Sequence, residues 1–256
     1  MADRLLGDIV PLSASSLDTW LRCRREYLAA HLLGVPETDD GASPDQGLLV
    51  HDLLRHVHQQ GSCHDRHHVA DVLAAHGLDD SSPVAGFVER HARRCPTDAT
   101  LGEHEAERAR FHRLPPPMFM ATGRIDAIWR HRGLLDARDY KTNRPFTERV
   151  ADDPRARLQA WLLAPVAQRD GLRLRLRYEY LAAEVDDDPE PFEPDDDELA
   201  AIEEELRAIV RAIRVEDEFA GVADASVCGR CRYRSVCRDS VAPGVPRWPV
   251  PEGSEA

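Results

Sequence analysis

Two predicted strands that meet at a short turn constrain the fold of this chain most strongly. The segments Met118–Arg130 and Gly133–Thr142 both favour strand, and His131-Arg132-Gly133 joins them as a hairpin. A helix is predicted from Asp153 to about Gln168. Residues 172–180 then alternate apolar and charged side chains, which indicates a strand with one covered face. This succession predicts an α/β fold, with a mixed central sheet flanked by helices.

The two ends of the chain are predicted to be helical. An opening helix begins among the hydroxyl residues 13–16, where Asp18 follows Ser15 as an acidic capping partner, and it ends before Gly34. Helical spacing assigns its core-facing residues as Leu17, Trp20, Leu21, Leu28 and Leu32. Further helices are predicted from Gly47 to about Gln60, in broken form over 61–100, and over 196–220.

The negative charge of the chain is concentrated in one segment. Of the formal charge of −13, residues 184–198 supply ten acidic groups and no basic group. Arginines cluster at 22–25, 173–177 and 230–238, and local patches rather than net charge set the attraction to phosphate. A nucleic-acid partner is therefore not excluded, and 184–198 is expected to be a disordered, solubilising loop. No long apolar run or cleavage-site pattern occurs, which favours a cytoplasmic protein without a membrane partner.

Lysine occurs only once among the 33 Lys and Arg residues, at position 141. Arginine replaces lysine easily on a solvated surface, but not where a compact ammonium of adjustable pKa must reach one atom. Lys141 follows Asp139 by two positions, and residues two apart on a strand share a face. Codon bias is the alternative explanation of this isolation, and composition alone does not choose between the two.

A second acidic residue on the preceding strand makes this pair chemically informative. The hairpin is able to bring Asp126, in Gly123-Arg124-Ile125-Asp126, beside Asp139. Two carboxylates on one sheet face repel unless a cation neutralises them, and Mg²⁺ or Mn²⁺ suits oxygen ligands. Such an ion lowers the pKa of a bound water, while a nearby ammonium stabilises a charged transition state. The alternative is a surface salt-bridge cluster without a metal.

These residues resemble the motifs of the PD-(D/E)XK nuclease superfamily, in its RecB-like exonuclease branch. The segments 123–126 and 139–142 are similar to its second and third motifs, 47–51 to its G-x-x-x-H helix, and 12–23 to its opening helix. The resemblance implies that Mg²⁺ or Mn²⁺ is held by His51, Asp126, Asp139 and the backbone carbonyl of Tyr140. It also implies that Lys141 is the catalytic lysine and that Gln159 positions water or DNA.

The chain departs from the family pattern at two places. The family's helix usually reads Q-x-x-x-Y, whereas position 163 here is leucine. The family's third strand is usually apolar before its aspartate, whereas this one carries Asp136 and Arg138. Both project opposite to Asp139 and Lys141, so the expected metal face is kept while the other face must be wet or paired.

Three of the six cysteines lie close together, at Cys228, Cys231 and Cys237, in an arrangement typical of metal ligation. A fourth ligand must come from elsewhere, and the spacing alone leaves zinc and iron–sulfur open. In the iron–sulfur RecB-like nucleases, one N-terminal and three C-terminal cysteines hold a 4Fe–4S cluster, and Cys23 resembles the N-terminal one. The resemblance therefore implies such a cluster, with structural Zn²⁺ as the alternative. Cys63 and Cys95 lack comparable spacing and are expected to be ordinary thiols.

The arginines around Cys23 and Cys231 allow two interpretations. Together with Tyr233 they offer phosphate contacts and a stacking surface to single-stranded DNA. Alternatively, they form a solvated basic face.

The resemblance implies one nuclease domain over residues 1–242, with the metal site in 47–160 and a cluster clasp from 23 and 228–237. Residues 243–256 are expected to be a disordered Pro-rich tail. The implied activity is metal-dependent hydrolysis of DNA phosphodiesters by a single-strand exonuclease, in repair or recombination. The alternatives are a CRISPR-adaptation nuclease and a non-cleaving, DNA-end-binding iron–sulfur subunit of a helicase–nuclease complex. Single-stranded DNA, DNA ends and a helicase subunit are the expected partners.

Overall fold

The computed structural model describes residues 7–37, 46–79, 81–97, 101–112, 115–142, 149–183 and 188–244, without the side chains of 101–107. In these ranges, no helix is both long and apolar enough to cross a membrane. The predicted Pro-rich tail over 243–256 lies outside the described residues from position 245 onward.

The centre of the fold is a mixed five-stranded sheet, which confirms the predicted α/β class. Its strands are β1 (Val10–Ser13), β2 (Leu101–His112), β3 (Phe119–His131), β4 (Leu134–Lys141) and β5 (Arg173–Tyr180). The predicted hairpin is β3–β4, and its turn residues Arg132 and Gly133 both have positive φ, as tight hairpin turns require. β1 pairs with β3 and β5 with β4, both in parallel, and β2 pairs antiparallel with β3. β1 and β2 had no counterpart in the sequence prediction.

Helices cover both faces of the sheet. They are α1 (Ala14–Arg22), α2 (Arg24–Tyr27), α3 (Gln46–Gln60), α4 (Arg66–Ala75), α5 (Pro83–Arg94), α6 (Pro154–Asp170), α7 (Asp196–Val215) and α8 (Ala225–Arg230). A π-helical turn, Leu28–Leu32, continues α2, and a 3-10 turn, Val150–Asp152, precedes α6. α7 ends five residues before the predicted limit of 220.

Two apolar clusters form the core. One joins Ala137 of β4 to residues of α1, α6 and α7, and the other joins Tyr140 to residues of α3, α4 and α5. Because Ala137 and Tyr140 project from opposite faces of β4, the clusters lie on the two faces of the sheet.

The opening helix differs from its prediction at both the cap and the core face. Its N-cap is Ser13, whose hydroxyl accepts from the Ser16 N–H, while Asp18 pairs instead with Arg22. The extended backbone of Cys23 separates α1 from α2. The buried face of α1 consists of Ser16, Leu17, Thr19 and Trp20. Leu21 was predicted to face the core, but it lies outside this face and is 51% exposed.

The prediction of a disordered loop over 184–198 is wrong for residues 188–198. Phe192 is buried and its backbone pairs with Leu176 of β5. Asp188 accepts from Arg94 at 2.6 Å. Asp195 caps α7 and forms a capping box with Glu198. The final acids of the segment therefore stand at a helix N-terminus, where negative charge is favourable.

Candidate active site

Asp126 and Asp139 face each other at the point where β3 and β4 separate. The antiparallel pairing of the hairpin ends at Ala127 and Arg138, so that the next facing positions are 126 and 139. The Tyr140 N–H there donates to Asp126 Oδ2 at 2.8 Å. Facing residues of an antiparallel pair share one side of the sheet. The local geometry therefore agrees with the sequence prediction that the hairpin places the two carboxylates together.

The ammonium of Lys141 lies in the same place. Its Nζ donates to Asp139 Oδ2 at 2.8 Å and stands 4.6 Å from the centroid of the Tyr178 ring. Tyr178 is paired with Asp139 in the β4–β5 register and is buried. The aromatic face and the carboxylate together confine the ammonium to one position. Sequence reasoning missed Tyr178, although the alternation of β5 already assigns it to the covered face.

His51 reaches this site from α3. Its Nδ1 is 3.2 Å from Asp126 Oδ1, and its Nε2 is 3.0 Å from the Tyr140 carbonyl oxygen. The four expected metal ligands therefore belong to one constellation, in which the imidazole bridges Asp126 and the Tyr140 carbonyl.

The ionisable groups of this site shift one another's pKa values. The pKa of Asp139 is raised to about 6, because burial and the nearby Asp126 charge outweigh the opposing effect of Lys141. Burial lowers the pKa of His51, but the hydrogen bond and charge of Asp126, together with the charge of Asp139, outweigh it, so the pKa is raised. Two close carboxylates of this kind favour the binding of a cation.

The glycine of the GxxD motif has a packing role. A Cβ at Gly123 would lie 2.8 Å from Leu162 Cδ1 on α6. Glycine at this position therefore allows α6 to pack closely on β3. This contact places α6 against the strand that carries Asp126.

Gln159 and Leu163 are both buried on α6. In the described part of the chain, no hydrogen bond joins Gln159 to Asp126, Asp139 or Lys141. Its expected role in positioning water or DNA remains a prediction. Leu163 is completely buried in the core, which accounts physically for an apolar residue where the family has tyrosine.

The opposite face of β4 is buried and paired, one of the two expected outcomes. Asp136 is fully buried, Arg138 nearly so, and the guanidinium of Arg138 donates to Asp136 Oδ2 at 2.7 Å. Arg138 also donates to Glu179, a buried carboxylate on β5. Glu179 in turn accepts from His91 of α5 at 2.8 Å, if His91 Nδ1 carries the proton. A network of buried ion pairs therefore covers the face of β4 that is opposite to Asp139 and Lys141.

The four expected cluster cysteines line a single cavity of about 380 Å³. Cys23 and Cys228 are buried, and Cys231 and Cys237 are half-buried. Burial raises the pKa of the Cys231 thiol to about 11. The donor set fits a metal cluster, because four thiols from both ends of the chain face one largely apolar space.

Two arginines beside Cys23 pair with carboxylates from the C-terminal part of the chain. Arg24 pairs with Glu216 at 2.6 Å and Arg25 with Asp239 at 2.9 Å. Tyr233 is buried, which removes it as a stacking surface for bases. Arg24 and Arg25 therefore join the N-terminal segment to the C-terminal part of the chain, and the interpretation as a DNA-stacking platform is wrong for Tyr233.

The donor set of the carboxylate site matches a hard divalent cation: two carboxylates, a backbone carbonyl and an imidazole. A bound divalent ion would supply a water of lowered pKa and stabilise negative charge on a phosphoryl oxygen. Lys141 lies beside Asp139, where its ammonium is able to stabilise the same charge.

Comparison with known proteins assigns the chain to a family. The model of the PD-(D/E)XK nuclease superfamily matches residues 11–238. No curated protein matches the chain. Among solved structures, the crystal structure of SSO0001 is similar at 17% identity, with 88% of this chain and 98% of that chain covered and a TM-score of 0.38, too low to bear on fold or function. The chain belongs to the PD-(D/E)XK nuclease superfamily, whose members are in general metal-dependent nucleases.

Proposed function

We propose that this protein is a Mg²⁺- or Mn²⁺-dependent exonuclease of the RecB-like branch, specific for single-stranded DNA and active in repair or recombination in the cytoplasm. The observation that carries the proposal is the convergence of Asp126, Asp139 and Lys141 on one side of the sheet. A surface salt-bridge cluster is less consistent with this arrangement, since the side chains of Asp139 and Lys141 are only 18% and 15% exposed.

Each residue has a distinct part in the proposed reaction. Asp126, Asp139, His51 and the Tyr140 carbonyl hold the metal. Lys141, held between Asp139 and the ring of Tyr178, stabilises the charge that develops on the phosphate. Gln159, buried on α6, positions water or DNA.

We further propose that Cys23, Cys228, Cys231 and Cys237 hold a structural 4Fe–4S cluster, with structural Zn²⁺ as the alternative. A single zinc ion needs its four sulfurs within about 4 Å of one another, whereas a cluster spreads them further apart. Among the described residues, the groups whose ligand atoms lie within 4.8 Å of one another do not include these four cysteines. Their common cavity therefore favours the larger group.

The domain organisation is part of the proposal. One nuclease domain comprises residues 1–242, and the cluster joins its N- and C-terminal helical segments. Single strands or DNA ends are the proposed substrates, and a helicase is the proposed partner subunit.

Two other functions use the same motifs. A CRISPR-adaptation nuclease would share the whole site, and the genes neighbouring the coding sequence distinguish it from a repair enzyme. A non-cleaving, DNA-end-binding subunit would not require Lys141 beside the carboxylate pair, and retention of all three residues favours an active enzyme.

The test uses the full chain purified without oxygen. Linear single-stranded, linear double-stranded and circular single-stranded DNA, labelled at either end where an end exists, are incubated with Mg²⁺, Mn²⁺ or EDTA. We expect metal-dependent loss of the linear single strand and an intact circle. Cleavage of the circle would contradict an exonuclease, and no cleavage of any substrate would support the non-cleaving subunit.

A further inference from the structure

Four metal-ligating side chains outside the nuclease site meet at one point. His58 lies in the last turn of α3 and Cys63 in the loop that follows it. His91 lies in the last turn of α5 and Cys95 is the C-cap of that helix. Their ligand atoms, two imidazole nitrogens and two sulfurs, all lie within 4.8 Å of one another. Cys63, His91 and Cys95 are buried.

The distances among these atoms suit a tetrahedral ion. His58 Nε2 is 2.9 Å from His91 Nε2 and 3.9 Å from Cys95 Sγ. Zinc bonds of about 2.0 Å to nitrogen and about 2.3 Å to sulfur separate tetrahedral ligand atoms by roughly 3.3–3.8 Å. Movements of a few tenths of an ångström would bring the two nitrogens to that separation.

A carboxylate behind His91 fixes the orientation of its ring. Glu179 Oε2 lies 2.8 Å from His91 Nδ1, and both side chains are buried. With the Nδ1–H donated to Glu179, the Nε2 lone pair is directed at the cluster. A carboxylate that orients a histidine ligand in this way is a common second layer of zinc sites.

The electrostatic conditions also favour a cation. The buried Glu179 carboxylate beside His91 places a negative charge next to the four ligand atoms. A divalent ion bound by two thiolates and two neutral imidazoles has no net charge, which suits a buried position.

We propose that His58, Cys63, His91 and Cys95 bind a structural zinc ion that fastens α3 to α5. Binding releases the two thiol protons to solvent, while both imidazoles bind as neutral groups that keep the proton on Nδ1. Zinc is favoured over harder cations because the site offers two sulfur and two nitrogen ligands and no oxygen ligand.

The site also bears on the nuclease centre. His51 precedes His58 by two turns on α3, so fixing the end of α3 restrains the histidine that contacts Asp126. The ring of Tyr140 lies 5.9 Å from that of His51 and 5.1 Å from that of His91, between the two sites. Zinc therefore holds the helix that supplies His51 without taking part in DNA cleavage.

The test measures metal content rather than cleavage, so its result is independent of the proposed nuclease activity. The 256-residue chain produced with zinc is analysed for zinc and iron, alongside Cys95→Ser, His58→Asn and, as the matched control, His67→Asn at an exposed position of α4. We expect Cys95→Ser and His58→Asn to hold about one zinc ion per chain fewer than the parent, and His67→Asn to hold as much zinc as the parent. Thermal unfolding followed by circular dichroism establishes that each variant is folded.

Cobalt provides a second measurement on the unaltered chain, in case the variants fail to fold. Replacing zinc with Co²⁺ should produce intense visible absorption of a tetrahedral site and a thiolate-to-cobalt charge-transfer band. A zinc-free parent protein, the parent's full zinc content in Cys95→Ser, or zinc lost in His67→Asn would each overturn the proposal. An octahedral cobalt spectrum without the thiolate band would also overturn it.

Discussion

The backbone N–H of Tyr140 donates to the Asp126 carboxylate at 2.8 Å, at the place where β3 and β4 cease to pair. This bond leaves the Tyr140 carbonyl facing His51 and keeps Asp126 opposite Asp139. Oxygen ligands from both strands thus converge where the pairing ends. The hairpin supplies the positions of the site residues.

Lys141→Arg should lower the cleavage rate by about 10²-fold or more without unfolding the protein. The larger, planar guanidinium does not fit between Asp139 and the Tyr178 ring as a compact ammonium does. Initial rates on end-labelled single-stranded DNA provide the measurement. Arg169→Lys, at an exposed position of α6, is the matched control and should cut as the parent does. Equal rates for Lys141→Arg and the parent would leave codon bias as the explanation of the lone lysine.

Cys23→Ser should remove iron and sulfide and lower the melting temperature by roughly 5 °C or more, because the clasp between the chain ends is lost. Chemical assay of iron and sulfide in anaerobically purified protein, with a thermal melt, tests this. Cys63→Ser is the control for iron and sulfide content only, since its thiol lies outside the cavity that Cys23 lines. Zinc in place of iron at the Cys23 site would contradict the cluster while leaving the nuclease assignment intact.

Arg138→Leu should lower the free energy of unfolding by about 3–5 kcal/mol, because it removes the buried cation that pairs with both Asp136 and Glu179. Urea denaturation provides the measurement. Arg93→Leu breaks the exposed pair with Glu89 and serves as the control, with little change expected. If both substitutions changed the free energy of unfolding by a similar, small amount, the buried ion pairs of Arg138 would contribute no more to stability than an exposed pair.

Asp153→Asn should reduce stability at neutral pH and have less effect in acid. Burial raises the pKa of Asp153, but its bonds with Arg155 outweigh that effect, so the pKa in the folded state is lowered; the Tyr178 hydroxyl also faces this carboxyl. A lowered pKa contributes stability above the unfolded-state value of about 3.9 and loses it as pH falls through the folded-state value. Urea unfolding of parent and variant from pH 7 to pH 3 should converge at the acid end. A difference independent of pH would contradict this account.

The site could be predicted from the sequence because strand periodicity and hairpin register determine which residues share a face. Asp126, Asp139 and Lys141 are separated by positions that the pleat maps to one side of the sheet. The alternation of β5 also places Tyr178 on the covered face, but its contact with Lys141 depends on the β4–β5 register, which the sequence pattern does not give. The buried Arg138 network was less accessible, since it depends on Glu179 and His91 from distant elements.

Other features escaped prediction for identifiable reasons. β1 is only four residues long, and β2 is rich in charged residues, so neither shows clear apolar alternation. The proposed zinc site differs from the prediction of ordinary thiols at Cys63 and Cys95, which rests on the spacing between cysteines alone. Each of these cysteines closely follows a histidine: Cys63 comes five residues after His58, and Cys95 comes four residues after His91.

The most direct test of the nuclease centre is the activity of Asp139→Asn. This substitution keeps the size of the side chain but removes one of the two facing carboxylates that favour cation binding. With Mg²⁺ and end-labelled single-stranded DNA, the variant should cut at least about 10²-fold more slowly than the parent while melting normally. The exposed control Asp71→Asn should retain full activity. A fully active, folded Asp139→Asn protein would contradict the assignment of Asp126, Asp139 and Lys141 as the cleavage site.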